Sequence, residues 1–249
     1  MKAAIDLGCF PTGRHYPGIA HLLRVVAAGL AEEYPTTTAL DEIELVCIDT
    51  ETTGRDAMTD RIVEIAAVVW HRGAVVARYA WLVHPGCAIP AEATEVHGIS
   101  DDAVKDSPCF AAIAKELSDV LRGRVPLAYN AEFDQRFIAE EFGRAALELG
   151  HTPPALRRGV EWLDPLVWAR ELQKFEKSKA LGEVCVRLGI PLTNAHRATD
   201  DAEAAMRVLF AFLQDPRVPK TYGAFIQEQR RLARLQEEER ARWRSGRSG

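Results

Sequence analysis

The chain has 249 residues, of which 47% are hydrophobic and 27% are charged, and its formal net charge is -5. This composition excludes a disordered or collagen-like chain, and the length allows one substantial domain with extensions or two small domains. Charges interrupt the apolar runs well before the roughly 18 consecutive apolar residues that a membrane span needs. The N-terminus lacks the apolar core of a signal peptide, so we expect a cytoplasmic protein with no membrane partner.

The first half of the chain predicts one helix followed by three strands. Apolar residues recur at helical spacing over 17–33, and a polar connector follows at 37–42. The predicted strands cover 44–50, 62–71 and 75–84, with a short hairpin turn around Gly73. We therefore expect an antiparallel, three-stranded start to the sheet.

The second half predicts strands alternating with helices. The predicted strands are 125–129 and 160–164, and the predicted helices are 109–122, 132–149, 165–175, 179–188 and 200–214. This order favours an α/β fold with a mixed sheet of five strands, three antiparallel and then two parallel, covered by helices on both faces.

The C-terminal segment differs from the rest in charge. Residues 226–249 contain seven Arg and four Glu, a net charge of +3, which leaves -8 on residues 1–225. The helical pattern at 225–244 is compatible with a solvated helix or with a contact for a partner or a nucleic-acid backbone. We divide the chain into an N-terminal extension (1–42), a main domain (43–214) and a charged helical tail (215–249).

Two carboxylates lie at the end of the first predicted strand. Asp49 and Glu51 are two positions apart, so their side chains point to the same side of the strand. Two carboxylates on one face repel each other unless a divalent cation lies between them. The pattern alone is compatible with a metal site or with a solvated acidic turn.

Two further acids lie near predicted helix starts. Asp134 follows the strand at 125–129, and Asp201 lies in the first turn of a helix that Thr199 would cap. Asp200 is expected to be a solvated acid that complements the helix dipole. His196 lies in the preceding loop, five residues before Asp201.

Four segments together resemble the DEDDh-type 3′-to-5′ exonucleases, a DnaQ-like group that includes the epsilon subunit of bacterial DNA polymerase III. They are VCIDTETTG (46–54), HGIS (97–100), YNAEFDQRFI (129–138) and HRATDDAEA (196–204). The resemblance spans about residues 43–214 and implies a ribonuclease H-like fold. Members of this family often have His where Tyr129 stands, a difference that bears on substrate choice.

The resemblance implies a two-metal phosphodiester hydrolase that uses Mg²⁺ or Mn²⁺. Asp49 would bridge two cations, Glu51 and Asp201 would hold the first, and Asp134 would hold the second. Oxygen ligands suit these cations better than zinc. His196 would be the general base, since an unperturbed imidazole is largely neutral near pH 7.

The resemblance also implies a cleft for the 3′ end of single-stranded or frayed nucleic acid, releasing nucleoside 5′-monophosphates. The residues assigned to it are Thr52, Thr53, His97, Asn130 and Phe133. DNA is the expected substrate, with a proofreading role and a polymerase subunit as partner. The alternatives are an RNA-trimming enzyme of the ribonuclease T or oligoribonuclease kind and an inactive nucleic-acid-binding module of the same fold.

Overall fold

The computed structural model describes residues 29–192 and 197–245 of the chain. The strands of its sheet are β1 (Leu45–Thr52), β2 (Ile62–His71), β3 (Ala74–Leu82) and β4 (Val125–Leu127). They lie in the order β3-β2-β1-β4, with β1 antiparallel to β2, β2 antiparallel to β3, and β4 parallel to β1. The antiparallel start and the mixed character of the sheet are therefore confirmed.

The β2–β3 hairpin closes through two residues in the left-handed region. Arg72 has φ 51° and Gly73 has φ 78°. Two successive positive φ values are typical of the hairpin turns whose twist matches that of the flanking strands.

The predicted fifth strand at 160–164 is wrong, because the sheet formed by the described residues has four strands and this segment is not one of them. Of that segment, only Leu163 pairs with β4, through one parallel bridge to Leu127. The Glu161 amide instead donates to the carbonyl of Gly29 at 2.8 Å. Asp164 then ends the extended run because its side chain caps the helix that begins at Pro165. Pro126 also deprives β4 of one amide donor.

The helices agree with the predicted segments within a few residues, except that two short helices lie outside every predicted segment. They are α1 (Ala91–His97), α2 (Asp101–Val104), α3 (Phe110–Leu121), α4 (Ala131–Ala145), α5 (Pro165–Leu172), α6 (Leu181–Leu188), α7 (Ala198–Phe212) and α8 (Tyr222–Ser245). The two unpredicted helices are α1 and α2. α4 ends four residues earlier than predicted because Ala146 adopts φ 48°.

Alternation along the central strand divides the core into two layers. Leu45 and Cys47 of β1 face the layer built from α5, α6, α7 and α8. Val46 and Ile48 face the other layer, which α3 and α4 cover. Helices therefore cover both faces of the sheet, as the alternating pattern predicts.

The segments that flank the main domain pack on it. The amide of Ala31 donates to the Tyr222 hydroxyl at 2.9 Å, and Ala39 bridges to Thr221. In α8, Phe225 packs against Trp168 with ring centroids 5.0 Å apart. The helix predicted at 17–33 lies mostly outside the described residues, and the described residues 29–33 are not helical. The division at residues 42/43 and 214/215 stays a prediction.

Within the described residues, no helix has both the length and the apolar character to cross a membrane.

A buried ion pair fastens the segment after β1 to α4. Glu141 is 1% exposed, and Arg61 donates to its two oxygens at 2.6 and 2.9 Å. Arg144 lies 3.4 Å from the same carboxylate. Because β1 ends in the acids of interest, this pair fixes the backbone beside them.

We expect Arg61→Ala to lower the free energy of unfolding by about 3–5 kcal/mol, since it leaves a buried carboxylate without its main partner. Urea denaturation monitored by circular dichroism measures this change. The double variant Arg61→Leu/Glu141→Leu should recover most of the loss. A loss of less than about 1 kcal/mol in the single variant would contradict the assigned role.

Candidate active site

Three of the predicted acids meet at the end of β1. Asp49 and Glu51 point to the α7 side of the sheet, and Asp201 lies in the first turn of α7. One carboxylate oxygen from each of these residues lies within 4.8 Å of the others. The spacing of two along a strand and the position of an acid near a helix start therefore bring the three groups into one cluster.

Asp134 reaches the same strand from its other face. It lies in the first turn of α4, is 3% exposed, and accepts a hydrogen bond of 2.8 Å from the Thr50 hydroxyl. Thr50 lies between the two acids of β1 and points away from them. The predicted fourth acid is thus close to the cluster but outside the group of three.

A fifth acid, Glu64, lies beside the cluster, although sequence analysis did not single it out. It stands directly opposite Glu51 in the β1–β2 register and is 3% exposed. Its oxygens accept from the Arg197 guanidinium at 3.1 Å and from the Ala198 amide at 3.4 Å. The signal was available, because an acid inside the apolar run IVEIAAVVW is costly to bury without a partner.

Glu64 also explains why the predicted cap of α7 is wrong. The helix begins at Ala198, so its N-cap is Arg197, whose side chain makes no capping bond. Thr199 is already inside the helix. The Glu64 carboxylate accepts from the first helical amide instead, where a negative charge also interacts favourably with the helix dipole.

Burial and mutual repulsion disfavour the ionised form of these acids when no cation is bound. Burial, followed by the charges of Asp134 and Asp201, raises the pKa of Asp49 well above its usual range. Burial, followed by the charges of Asp201 and Glu64, raises the pKa of Glu51 to about 8. Burial also raises the pKa of Asp134 to about 7, although the Thr50 hydrogen bond opposes the shift.

This donor set fits divalent cations that prefer oxygen ligands. Three carboxylate oxygens within 4.8 Å can share one ion, and a cation between them removes the repulsion that adds to the effect of burial on the pKa values of Asp49 and Glu51. The acid cluster is therefore positioned to bind metal.

Of the residues predicted to bind substrate, Thr52 and Thr53 lie at the end of β1, and His97 lies at the end of α1. The hydroxyls of Thr52 and Thr53 are engaged within the loop, donating to the Gly54 carbonyl at 2.6 Å and to Asp60 at 3.3 Å. His97 closes α1, is buried, and accepts from the Ile99 amide at 3.1 Å through Nδ1.

Asn130 and Phe133 line an open cavity of about 490 Å³ between the start of α4 and residues 55–58. Asn130 adopts φ 70°, and its backbone amide donates to the Asp164 carboxylate at 3.0 Å. Phe133 is half-buried and packs on Phe137 with centroids 4.8 Å apart. The cavity has room for part of a nucleotide strand.

His196, the predicted general base, lies outside the described residues. Its neighbour Arg197 is described and is held by Glu64. The role of His196 stays a prediction.

Comparison with known proteins gives consistent matches. The family model described as exonuclease (RNase_T) matches residues 46–209, about two thirds of the chain. DNA polymerase III PolC-type of Streptococcus thermophilus is 32% identical over 214 residues, which cover 83% of this chain. The PolC-type enzyme of Streptococcus pneumoniae is 33% identical over 176 residues, or 71% of this chain. This chain matches only 14% and 12% of the length of these two relatives.

Solved structures share the fold. The zinc-bound form of Escherichia coli exonuclease I with single-stranded DNA has a TM-score of 0.60 at 21% identity, covering 71% of this chain and 42% of that one. Exonuclease X in complex with 5′-overhanging duplex DNA has a TM-score of 0.56 at 23% identity, covering 73% and 99%. At these identities the likeness shows the fold alone.

The raised pKa values predict how stability depends on pH in the absence of metal. The folded state retains a proton that the unfolded state has lost on Glu51 between about pH 5 and 8 and on Asp134 between about pH 5 and 7, so these groups lower stability as pH rises. Thermal unfolding with a chelator should therefore show Glu51→Gln gaining stability relative to the unaltered chain as pH increases across this range.

Addition of Mg²⁺ or Mn²⁺ should raise the melting temperature of the unaltered chain most at the upper end of that range, and that of Glu51→Gln less. If the difference in melting temperature between the two proteins in chelator did not change with pH, the raised pKa of Glu51 would be contradicted.

Proposed function

The chain belongs to the exonuclease family, and on this premise we propose that it is a metal-dependent 3′-to-5′ exonuclease of the DEDDh type. It would hydrolyse phosphodiester bonds at the 3′ end of single-stranded or frayed DNA and release nucleoside 5′-monophosphates. The observation that carries the proposal is the convergence of Asp49, Glu51 and Asp201, from a strand and a distant helix, within 4.8 Å.

Four carboxylates would hold two divalent cations. Asp49 would bridge them, Glu51 and Asp201 would complete the first site, and Asp134 would serve the second. Bound cations would neutralise the scissile phosphate, lower the pKa of the attacking water and stabilise the departing 3′-oxygen. The negative charge of the four carboxylates would equal the positive charge of two divalent ions. The charge of Glu64 is already balanced by Arg197. Mg²⁺ and Mn²⁺ are the cations that such a donor set favours.

The protein side chains would then move the proton and fix the ligands. His196 would accept the proton of the attacking water as general base. Thr50 orients the Asp134 carboxylate through its hydroxyl. Glu64 holds the start of α7, the helix that carries Asp201, against β2 through the Ala198 amide. Ligands fixed in this way before substrate arrives need little reorganisation during the reaction.

The terminal nucleotides would enter the cavity beside Asn130 and Phe133. A half-buried aromatic ring at the cavity edge can stack on any base, which suits an enzyme that removes every nucleotide in turn. Thr52, Thr53 and His97 would contact the terminal nucleotide, with the two threonine hydroxyls also shaping the loop that surrounds it.

DNA is the proposed substrate because the two relatives named above, at 32% and 33% identity, are DNA polymerases. The same relatives support a proofreading role beside a polymerase. Since this chain spans only a small part of their length, the substrate and the partner belong to the proposal.

We expect the purified chain to shorten a 5′-labelled oligonucleotide stepwise in Mg²⁺ or Mn²⁺, and not in chelator. Asp49→Asn and Asp201→Asn should each lower kcat at least about 100-fold, because each removes a cation ligand. Product length on gels measures both polarity and rate, and single-stranded DNA, matched RNA and a mismatched duplex end are compared side by side.

Asp200→Asn is the matched control, because it removes an equal charge one residue away on α7 and should keep most of the rate. The proposal is wrong if the Asp49 or Asp201 variant keeps more than about a tenth of the rate, or if the label is released as products from the 5′ end. If the chain clearly preferred the RNA strand, RNA and not DNA would be its substrate.

His196→Ala should lower kcat about 100-fold or more through loss of base catalysis. The residual rate should not depend on pH between about 6 and 8, where an imidazole titrates. Thermal unfolding identifies any variant that has lost its fold. An unchanged pH profile in this variant would exclude His196 as the base.

A further inference from the structure

Lysine is concentrated in one loop of the described structure. The segment 173–179, QKFEKSK, connects α5 to α6 and is called here the lysine loop. The whole chain has only seven lysines against 24 arginines, and three of the seven, Lys174, Lys177 and Lys179, lie in this loop. With one glutamate the loop has a net charge of +2, whereas residues 1–225 together have -8.

The loop presents an exposed aromatic ring between its lysines. Phe175 is 99% exposed, and Lys174 and Lys177 are exposed on either side of it. Among the described residues, neither of these two ammonium groups has a hydrogen-bond or ion-pair partner. Cations and an aromatic ring are thus displayed to solvent together.

The backbone that displays them is firmly held. Arg187 of α6 donates to Gln173 Oε1 at 2.8 Å and to the Ser178 carbonyl at 2.7 Å, which ties both ends of the loop together. The Lys179 ammonium donates to the Glu176 carbonyl within the loop. A loop fixed in this way loses little conformational entropy when a ligand binds to its side chains.

The lysine loop borders the candidate active site. The Tyr129 hydroxyl donates to the Lys179 carbonyl at 2.5 Å, and Tyr129 directly precedes Asn130 at the cavity. Burial, followed by the nearby charge of Asp201, raises the pKa of the Cys185 thiol, so α6, the helix that follows the loop, lies close to this acid. A strand leaving the site on this side would pass over the loop.

We propose that the lysine loop binds the nucleic-acid strand several nucleotides upstream of its 3′ end. Lys174 and Lys177 would contact phosphates, and Phe175 would stack on a base. Lysine on a flexible stem is a mobile point charge that suits a backbone moving past as the strand shortens, and stacking on an aromatic ring tolerates every sequence. This inference rests on the proposed function, because it assumes that the strand occupies the neighbouring cavity.

Strand length provides the test, because only a strand long enough to reach the loop can gain from it. The substrates are a single-stranded thymidylate oligomer of about 12 nucleotides and the dinucleotide, both with a free 3′ end. We measure kcat/KM on each for Phe175→Ala and for Lys174→Ala/Lys177→Ala. Relative to the unaltered chain, each variant should lose at least about 5-fold more on the long strand than on the dinucleotide.

Salt dependence adds a second readout. On the long strand, the slope of log kcat/KM against log salt concentration should become shallower by about 1.4 in the double lysine variant, or about 0.7 per lost phosphate contact. Phe175→Ala should leave this slope near that of the unaltered chain, because stacking displaces no counterions. Lys105→Ala removes an exposed lysine elsewhere and serves as the matched control.

The outcomes separate this inference from the proposed function. If the unaltered chain hydrolyses neither substrate, the proposed function fails and the inference fails with it. If the chain hydrolyses both but each loop variant loses equally on the two lengths, or loses nothing, the lysine loop does not bind the strand and the proposed function stands. A length-dependent loss together with the shallower salt slope supports the inference.

Discussion

The constraint on which the structure depends is the repulsion between carboxylates that are half-buried at the end of β1. Taking a carboxylate out of water without compensation costs several kcal/mol, which is a large part of the 5–15 kcal/mol that typically stabilises a domain. The sheet keeps Asp49 and Glu51 in place because β1 lies between β2 and β4, with apolar residues ahead of the acids on both faces. The favourable packing of β1 in the core therefore offsets the cost of a carboxylate site that is unfavourable until cations bind.

The buried and half-buried acids named here divide into two groups by how their charge is compensated. Glu64 and Glu141 each accept from an arginine, and Asp164 accepts from three backbone amides. These three acids hold helices and loops in position. Asp49 and Glu51 have strongly raised pKa values, which means that their surroundings compensate far less of their charge. Incomplete compensation is characteristic of functional sites and leaves a place for a cation.

The sequence alone predicted those features of the site that a local pattern determines. The two-residue spacing of Asp49 and Glu51 and the helical positions of Asp134 and Asp201 follow from backbone periodicity alone. The fifth strand was mispredicted because pairing depends on distant residues: the Glu161 amide bonds to Gly29, and Asp164 turns the chain into α5. The partner of Glu64 was unpredictable for the same reason, since Arg197 lies 133 residues away.

The site also uses both layers of the fold, which explains how four acids can share so little space. Odd positions of β1 direct Asp49 and Glu51 toward α7, while Thr50 directs its hydroxyl toward Asp134 of α4. Asp134 and Asp201 both lie in first turns, where the positive end of the helix dipole favours a negative charge. Each helix therefore offsets part of the repulsion that it introduces. Because the charges of both Asp134 and Asp201 act on Asp49, a cation that neutralises Asp49 would also favour the packing of both helices against β1.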